Sequence, residues 1–151
     1  GTTIEVAPGV RWLRMGLPFA LDHINLWLLR DTLDGREGWT VVDCGVARDE
    51  TRAQWEQLFE RELQGLPVLR VVVTHMHPDH IGLAGWLCAR WQCDLWISAL
   101  DFYAACTGSQ GLAGFGGEGD VHSLVLEGGR YFVCEDDGSA WLVQLIAAGN
   151  G

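Results

Sequence analysis

The segment Thr74-His75-Met76-His77-Pro78-Asp79-His80 constrains the possible folds of this chain more than any other, because it directly follows a short run that is apolar apart from Arg70. That run, residues 68–73, predicts a strand buried on both faces. Imidazole nitrogen and carboxylate oxygen are ligands that divalent transition metals accept in proteins. We therefore predict a metal site in a tight loop at the carboxyl end of the buried strand, where α/β sheets usually place their sites.

The spacing inside this segment predicts two directions for its side chains. His75 and His77 are two residues apart, so they face the same side of an extended segment. Asp79 and His80 follow Pro78, where the backbone can turn and direct them at a second point. A polar loop whose histidines cap a helix is the alternative, and three histidines and an aspartate at this density disfavour it.

The rest of the chain predicts alternating strands and helices, and hence an α/β layered fold in a single domain over residues 1–151. Residues 34–38 are typical of a hairpin turn, and the glycine-rich stretch 108–119 of a flexible loop. Helices are expected at 49–63, 81–90 and 99–105. Further strands are expected at 10–13, 24–29, 39–42, 94–98, 121–126, 131–134 and 141–146.

The motif His75-x-His77-x-Asp79-His80 after a strand resembles the signature of the metallo-β-lactamase superfamily. Upstream, Val41-Val42-Asp43-Cys44-Gly45 is similar to the family's strand that ends in Asp-Thr-Gly, with Cys44 in the threonine position. The resemblance is strong over residues 4–100 and weak over 120–151, so much of the family's C-terminal half is expected to be missing. The motif is specific for the superfamily and says little about the substrate.

The resemblance implies an αββα sandwich that holds one or two metal ions, usually zinc and in some members iron or manganese. It implies that His75 and His77 bind the first metal and that Asp79 and His80 bind the second. Asp43 would help to hold the metal loop. The implied chemistry is hydrolysis by a metal-bound hydroxide, which Asp79 would orient and which needs no nucleophilic side chain.

A complete member of the family supplies three more ligands downstream, and this chain matches them poorly. His122 is the only histidine after His80, and its segment resembles the family's third-histidine strand. Asp136 or Asp137 falls near the position of the bridging acid. No late histidine follows, and a site with fewer ligands should bind metal more weakly.

Composition and charge narrow the expected cellular location and the expected binding partners. The 20 acidic residues outnumber the 10 basic ones, which disfavours nucleic acid as a partner. No membrane span, signal peptide or disulfide framework is evident, so we expect a cytoplasmic protein with a small-molecule substrate. We expect a hydrolase of a small ester or thioester, rather than of a β-lactam. The alternatives are a non-catalytic remnant that binds a metal or a partner and, with less support, a nuclease of the same superfamily.

Overall fold

The computed structural model describes residues 2–18, 20, 22–109, 130–134 and 140–144, with side-chain surroundings up to residue 107. Eight strands within these ranges form one sheet in chain order. They are β1 (Thr3–Ala7), β2 (Val10–Gly16), β3 (His23–Leu33), β4 (Arg36–Val42), β5 (Val68–Val72), β6 (Asp94–Ser98), β7 (Arg130–Cys134) and β8 (Ala140–Gln144). Four helices accompany them: α1 (Asp49–Arg61), α2 (Pro78–Ile81), α3 (Ala84–Trp91) and α4 (Ala99–Ser109).

The sheet changes from antiparallel to parallel pairing at β4. Strands β1 to β4 pair antiparallel, and β4 to β7 pair parallel. Parallel neighbours require crossover connections, and helices supply them: α1 links β4 to β5, while α2 and α3 link β5 to β6. Because such crossovers are right-handed and here lead in the same direction, these helices lie on one face of the sheet.

The core lies between that face and the helices. Leu13 and Leu28 are almost fully buried and alternate with more exposed neighbours on β2 and β3, and Val41 is buried on β4. Helix α1 presents Trp55, Leu58 and Phe59 to them, at the spacing that places side chains on one face of a helix. The amphipathic pattern of α1 therefore decides which side of the helix faces the sheet.

The predicted α/β architecture is confirmed, with shifted boundaries. Strand β1 was not predicted, because its side chains are mostly exposed and show no clear alternation. The helix predicted at 81–90 is α3, which begins at Ala84, and a separate short helix that was not predicted, α2, precedes it. The hairpin turn is shorter than predicted, with only Asp34 and Gly35 between β3 and β4, both at positive φ.

The described residues provide one sheet and helices of the implied αββα sandwich. Among them, no helix is both long and apolar enough to cross a membrane. The strand predicted at 121–126 and most of the predicted loop at 108–119 lie outside the described residues.

Candidate metal centre

The predicted metal loop lies where three parallel strands end side by side. The amide of Asp43, after β4, donates to the carbonyl of Val72 in β5 at 2.8 Å. The amide of Val73, after β5, donates to the carbonyl of Trp96 in β6 at 2.8 Å. Residues that follow β4, β5 and β6 therefore meet at one edge of the sheet, which is the usual place for sites in such folds.

The second half of the motif is a helical turn rather than a loop, which corrects the sequence prediction. Pro78 is the first residue of α2, where its fixed φ suits a helix and its missing N–H is not needed. The amides of His80 and Ile81 both donate to the carbonyl of His77, at 2.8 and 3.0 Å. Asp79 and His80 are thus held by backbone hydrogen bonds, whereas His77 precedes them in an extended conformation.

The four predicted ligands lie next to one another. The ring centroids of His75 and His77 are 4.7 Å apart, and those of His75 and His80 are 3.8 Å apart. The Nε2 atom of His80 lies 3.6 Å from the Oδ2 atom of Asp79. The structure therefore brings together all four side chains that the motif singled out.

This cluster matches a divalent metal in its donor atoms more closely than in its geometry. Three imidazoles and one carboxylate are suitable ligands for zinc, iron or manganese. Yet in the part of the chain that the structure describes, no three histidine, cysteine, aspartate or glutamate side chains form a group that could hold a metal ion. The histidine rings pack against one another instead, with the His75 and His80 centroids 3.8 Å apart.

Asp43 anchors the metal loop from the neighbouring strand end. One of its carboxylate oxygens accepts the Thr74 amide at 2.8 Å. The other lies 2.8 Å from the Thr74 hydroxyl and 2.8 Å from the Nδ1 atom of His80. A carboxylate at Nδ1 fixes the ring orientation and leaves Nε2 as the nitrogen available to a metal.

Tight backbone packing brings the strand end after β4 against α2. The amide of Cys44 donates to the carbonyl of His80 at 2.7 Å. At Gly82, a Cβ atom would lie 2.7 Å from the Ala47 nitrogen and 2.8 Å from the Gly45 carbonyl oxygen, closer than side-chain carbons approach. Asp43 itself has a φ of 62°, in the left-handed region that few residues other than glycine adopt readily. Gly82 thus permits an approach that a larger residue would prevent.

His75 is biased towards its neutral form. Burial lowers the pKa of the His75 imidazole below its ordinary value, and the neighbouring His80 and His77 lower it further. A neutral imidazole is the form that binds a metal ion, so these surroundings favour ligation.

Asp101 contacts the loop and was not singled out from the sequence. It lies in the first turn of α4, and its Oδ1 atom accepts the amide of Met76, between two predicted ligands, at 3.1 Å. The pattern Ser98-x-x-Asp101 at the junction of β6 and α4 is typical of a helix start and was the available signal.

The remaining predicted ligands, His122 and Asp136 with its alternative Asp137, lie outside the described residues. His23, which begins β3, forms a close pair with the exposed carboxylate of Asp22.

Comparison with known proteins places the chain in a family. The sequence profile of the metallo-beta-lactamase superfamily matches residues 20–142. A beta-lactamase domain protein from Burkholderia ambifaria is 59% identical, with a TM-score of 0.70 over 72% of this chain and 33% of its own length. A metallo-beta-lactamase family protein from Thermus thermophilus is 28% identical, with a TM-score of 0.51 over 65% of this chain and 31% of its own.

A metallo-beta-lactamase from Pontibacter korlensis, at 18% identity, shares the fold, with a TM-score of 0.58 over 72% of this chain and 48% of its own. No match is found among curated proteins. The chain spans about a third of the length of the Burkholderia protein. The superfamily consists mostly of hydrolases and usually binds divalent metals. On the profile match over residues 20–142, this chain belongs to the metallo-beta-lactamase superfamily.

Proposed function

We propose that the chain is a metal-dependent hydrolase that acts on a small ester or thioester. The observation that carries the proposal is the position of His80. Asp43 holds its Nδ1 atom at 2.8 Å, and its Nε2 atom lies on the side of Asp79. A histidine oriented in this way by a buried carboxylate is typical of metal ligands.

In this proposal the motif residues hold two metal ions, and Asp79 has a second task. His75 and His77 hold the first metal, and Asp79 and His80 hold the second, with zinc as the expected ion and iron or manganese as alternatives. When bound, such metals lower the pKa of water and polarise the bond under attack. Asp79 also accepts a hydrogen bond from the attacking water and so orients it, and Asp43 keeps the Nδ1 side of His80 occupied.

His122 and Asp136, or Asp137, are proposed to complete the ligand set. The substrate is proposed to be a small molecule rather than nucleic acid, consistent with the net charge of -10. A reducing, cytoplasmic setting fits the free thiols of Cys44, Cys88, Cys93 and Cys106.

A second candidate is a protein that binds a metal or a partner without turnover. One observation favours it: within the described ranges, no three potential ligands already form a group that could hold a metal ion. A ligand set that must reorganise before binding gives weaker affinity than a preformed one.

Metal analysis of the protein purified without chelators, combined with one variant and its control, separates these candidates. We expect one or two zinc ions per chain, and hydrolysis of at least one substrate in a panel of a thioester, a lactone and a phosphodiester. His77→Ala should lose metal and activity. His23→Ala removes a histidine outside the cluster and should keep both.

Two results would contradict the hydrolase proposal. One is a chain without stoichiometric metal whose activity survives His77→Ala. The other is full metal content without hydrolysis of any substrate in the panel, which would support the second candidate.

A further inference from the structure

We propose that Asp101 is a positioning residue that sets the backbone between the metal ligands His75 and His77, an inference that rests on the proposed function. Asp101 lies 25 residues beyond Met76 in sequence, and its Oδ1 atom accepts the Met76 amide at 3.1 Å. That amide belongs to the peptide that joins His75 to Met76. A contact at this point therefore acts on the direction in which the segment leaves His75.

The Asp101 carboxylate is itself held in place by Ser98. Its Oδ2 atom accepts the Ser98 hydroxyl at 2.5 Å, and the Asp101 amide donates to the Ser98 oxygen at 3.1 Å. This reciprocal arrangement is a variant of the capping box that stabilises helix starts. One oxygen is engaged by the helix start, so the other has a fixed position from which to hold the loop.

The topology explains why the contact forms. Strand β6 lies beside β5 in parallel, so the start of α4 and the segment after β5 meet at the same edge of the sheet. On the other side of β5, Asp43, which follows β4, accepts the amide of Thr74, two residues before Met76, at 2.8 Å. The two carboxylates thus hold two amides of the loop from two flanking strand ends. Asp101 acts on the backbone of the loop, at the Met76 amide. None of its described contacts is with the side chain of a proposed ligand.

A pair of substitutions separates this role from the effect of charge. Asp101→Ala removes the acceptor, whereas Asp101→Asn keeps an oxygen for the Met76 amide, removes the charge and places an NH₂ group beside Ser98, whose hydroxyl oxygen can accept from it. Asp49→Ala is the matched control, because Asp49 is also an acid in the first turn of a helix, and its exposed carboxylate pairs with Arg52 of the same helix. Co²⁺ serves as the probe, because its absorption bands report both affinity and ligand geometry.

We expect Asp101→Ala to weaken Co²⁺ binding about 10- to 100-fold, the usual effect of removing a group that orients ligands. Its absorption bands should also shift. Asp101→Asn and Asp49→Ala should bind Co²⁺ with nearly the wild-type affinity and spectrum. The proposal is overturned if Asp101→Ala binds like the wild type, if Asp101→Asn is as weak as Asp101→Ala, or if Asp49→Ala gives the same loss.

Hydrogen exchange of the Met76 amide in the metal-free protein provides a readout that does not depend on metal. The amide should be protected in the wild type and in Asp101→Asn, and should exchange faster in Asp101→Ala. A wild-type protein that binds no Co²⁺ while showing this exchange pattern would refute the proposed function and leave the positioning contact in place. Equal exchange in all three proteins would refute the positioning role itself.

Discussion

Replacing Asp43 should separate the folding of the metal loop from its affinity for metal. The carboxylate is almost fully buried, with 6% of its side chain exposed. It accepts the Thr74 amide at 2.8 Å and lies 2.8 Å from Nδ1 of His80. In Asp43→Ala both groups lose a charged acceptor, and such hydrogen bonds contribute about 1.5–3 kcal/mol each. Because Thr74 is exposed and water can replace part of its bond, we expect a loss of about 2–4 kcal/mol.

Asp43→Asn should lower the stability less than Asp43→Ala does, but should still weaken metal binding. Asparagine also adopts the φ of 62° found here, and its amide oxygen can still accept the Thr74 amide. Its NH₂ group, however, would donate to Nδ1 of His80 and place the ring proton on Nε2. The nitrogen needed for a metal would then carry a proton. We expect stability within about 1 kcal/mol of the wild type, but metal affinity reduced about 10- to 100-fold.

Urea unfolding of the metal-free proteins measures the first effect, and zinc titration against a competing chelator measures the second. The reasoning fails if Asp43→Ala unfolds at the same urea concentration as the wild type. It also fails if Asp43→Asn binds zinc as tightly as the wild type, because Asp43 would then not control the proton on His80.

Three further changes test other parts of the structure. Gly82→Ala places a Cβ atom 2.7 Å from the Ala47 nitrogen and should lower stability by about 1–3 kcal/mol in thermal unfolding. Gly16→Ala is its control, because a Cβ atom at Gly16 meets no close neighbour. Equal melting temperatures for the two variants would contradict the packing at Gly82. Trp55→Phe removes the buried hydrogen bond from Nε1 to the Cys44 carbonyl, at 2.7 Å, and should lower stability by about 1–2 kcal/mol in urea unfolding. Trp91→Phe should have a smaller effect, because the Trp91 Nε1 atom has no hydrogen-bond partner among the described residues, and the reverse order would refute this account. The hydrogen bond from Thr40 and the guanidinium of Arg70 lower the pKa of Asp31 in the folded protein. The stability that the Asp31 carboxylate contributes is therefore present above its ordinary pKa of 3.8 and is lost as the pH falls through the lower pKa of the folded state. The difference in unfolding free energy between the wild type and Asp31→Asn should therefore be constant between about pH 5 and 7 and shrink below pH 3.8, and a difference that grows with acid would contradict the sign.

Local patterns predicted the parts of the fold whose burial is periodic. Helix α1 shows Trp55, Leu58 and Phe59 at helical spacing, and β5 is apolar apart from Arg70, so both are evident in the sequence. Strand β1 lies at the edge of the sheet with mostly exposed side chains, so no burial pattern marks it. The break between α2 and α3 depends on Gly82 packing against the segment after β4, which is a tertiary contact.

The candidate site also has a part that local sequence patterns predict and a part that they do not. The four motif residues lie within six positions, so their proximity follows from the sequence alone. The position of Asp43 was implied only by the family resemblance, because 37 residues separate it from His80. Asp101 lies 25 residues from Met76, and its contact requires knowledge that β5 and β6 are parallel neighbours. Strand order is set by the whole sheet, and no short pattern encodes it.

Two supports of the metal loop come from the described part of this chain, which bears on what a chain spanning a third of its Burkholderia relative can do. Asp43 follows β4 and holds Thr74 and His80, while Asp101 begins α4 after β6 and holds Met76. Both carboxylates accept hydrogen bonds from loop groups that would otherwise need water or a ligand. Carboxylates at two neighbouring strand ends therefore hold the backbone of the loop at Thr74 and Met76 and the ring of His80. Further ligands would add affinity and complete the coordination, while the sheet of this chain already supplies the contacts that orient His80 and hold the backbone on either side of His75.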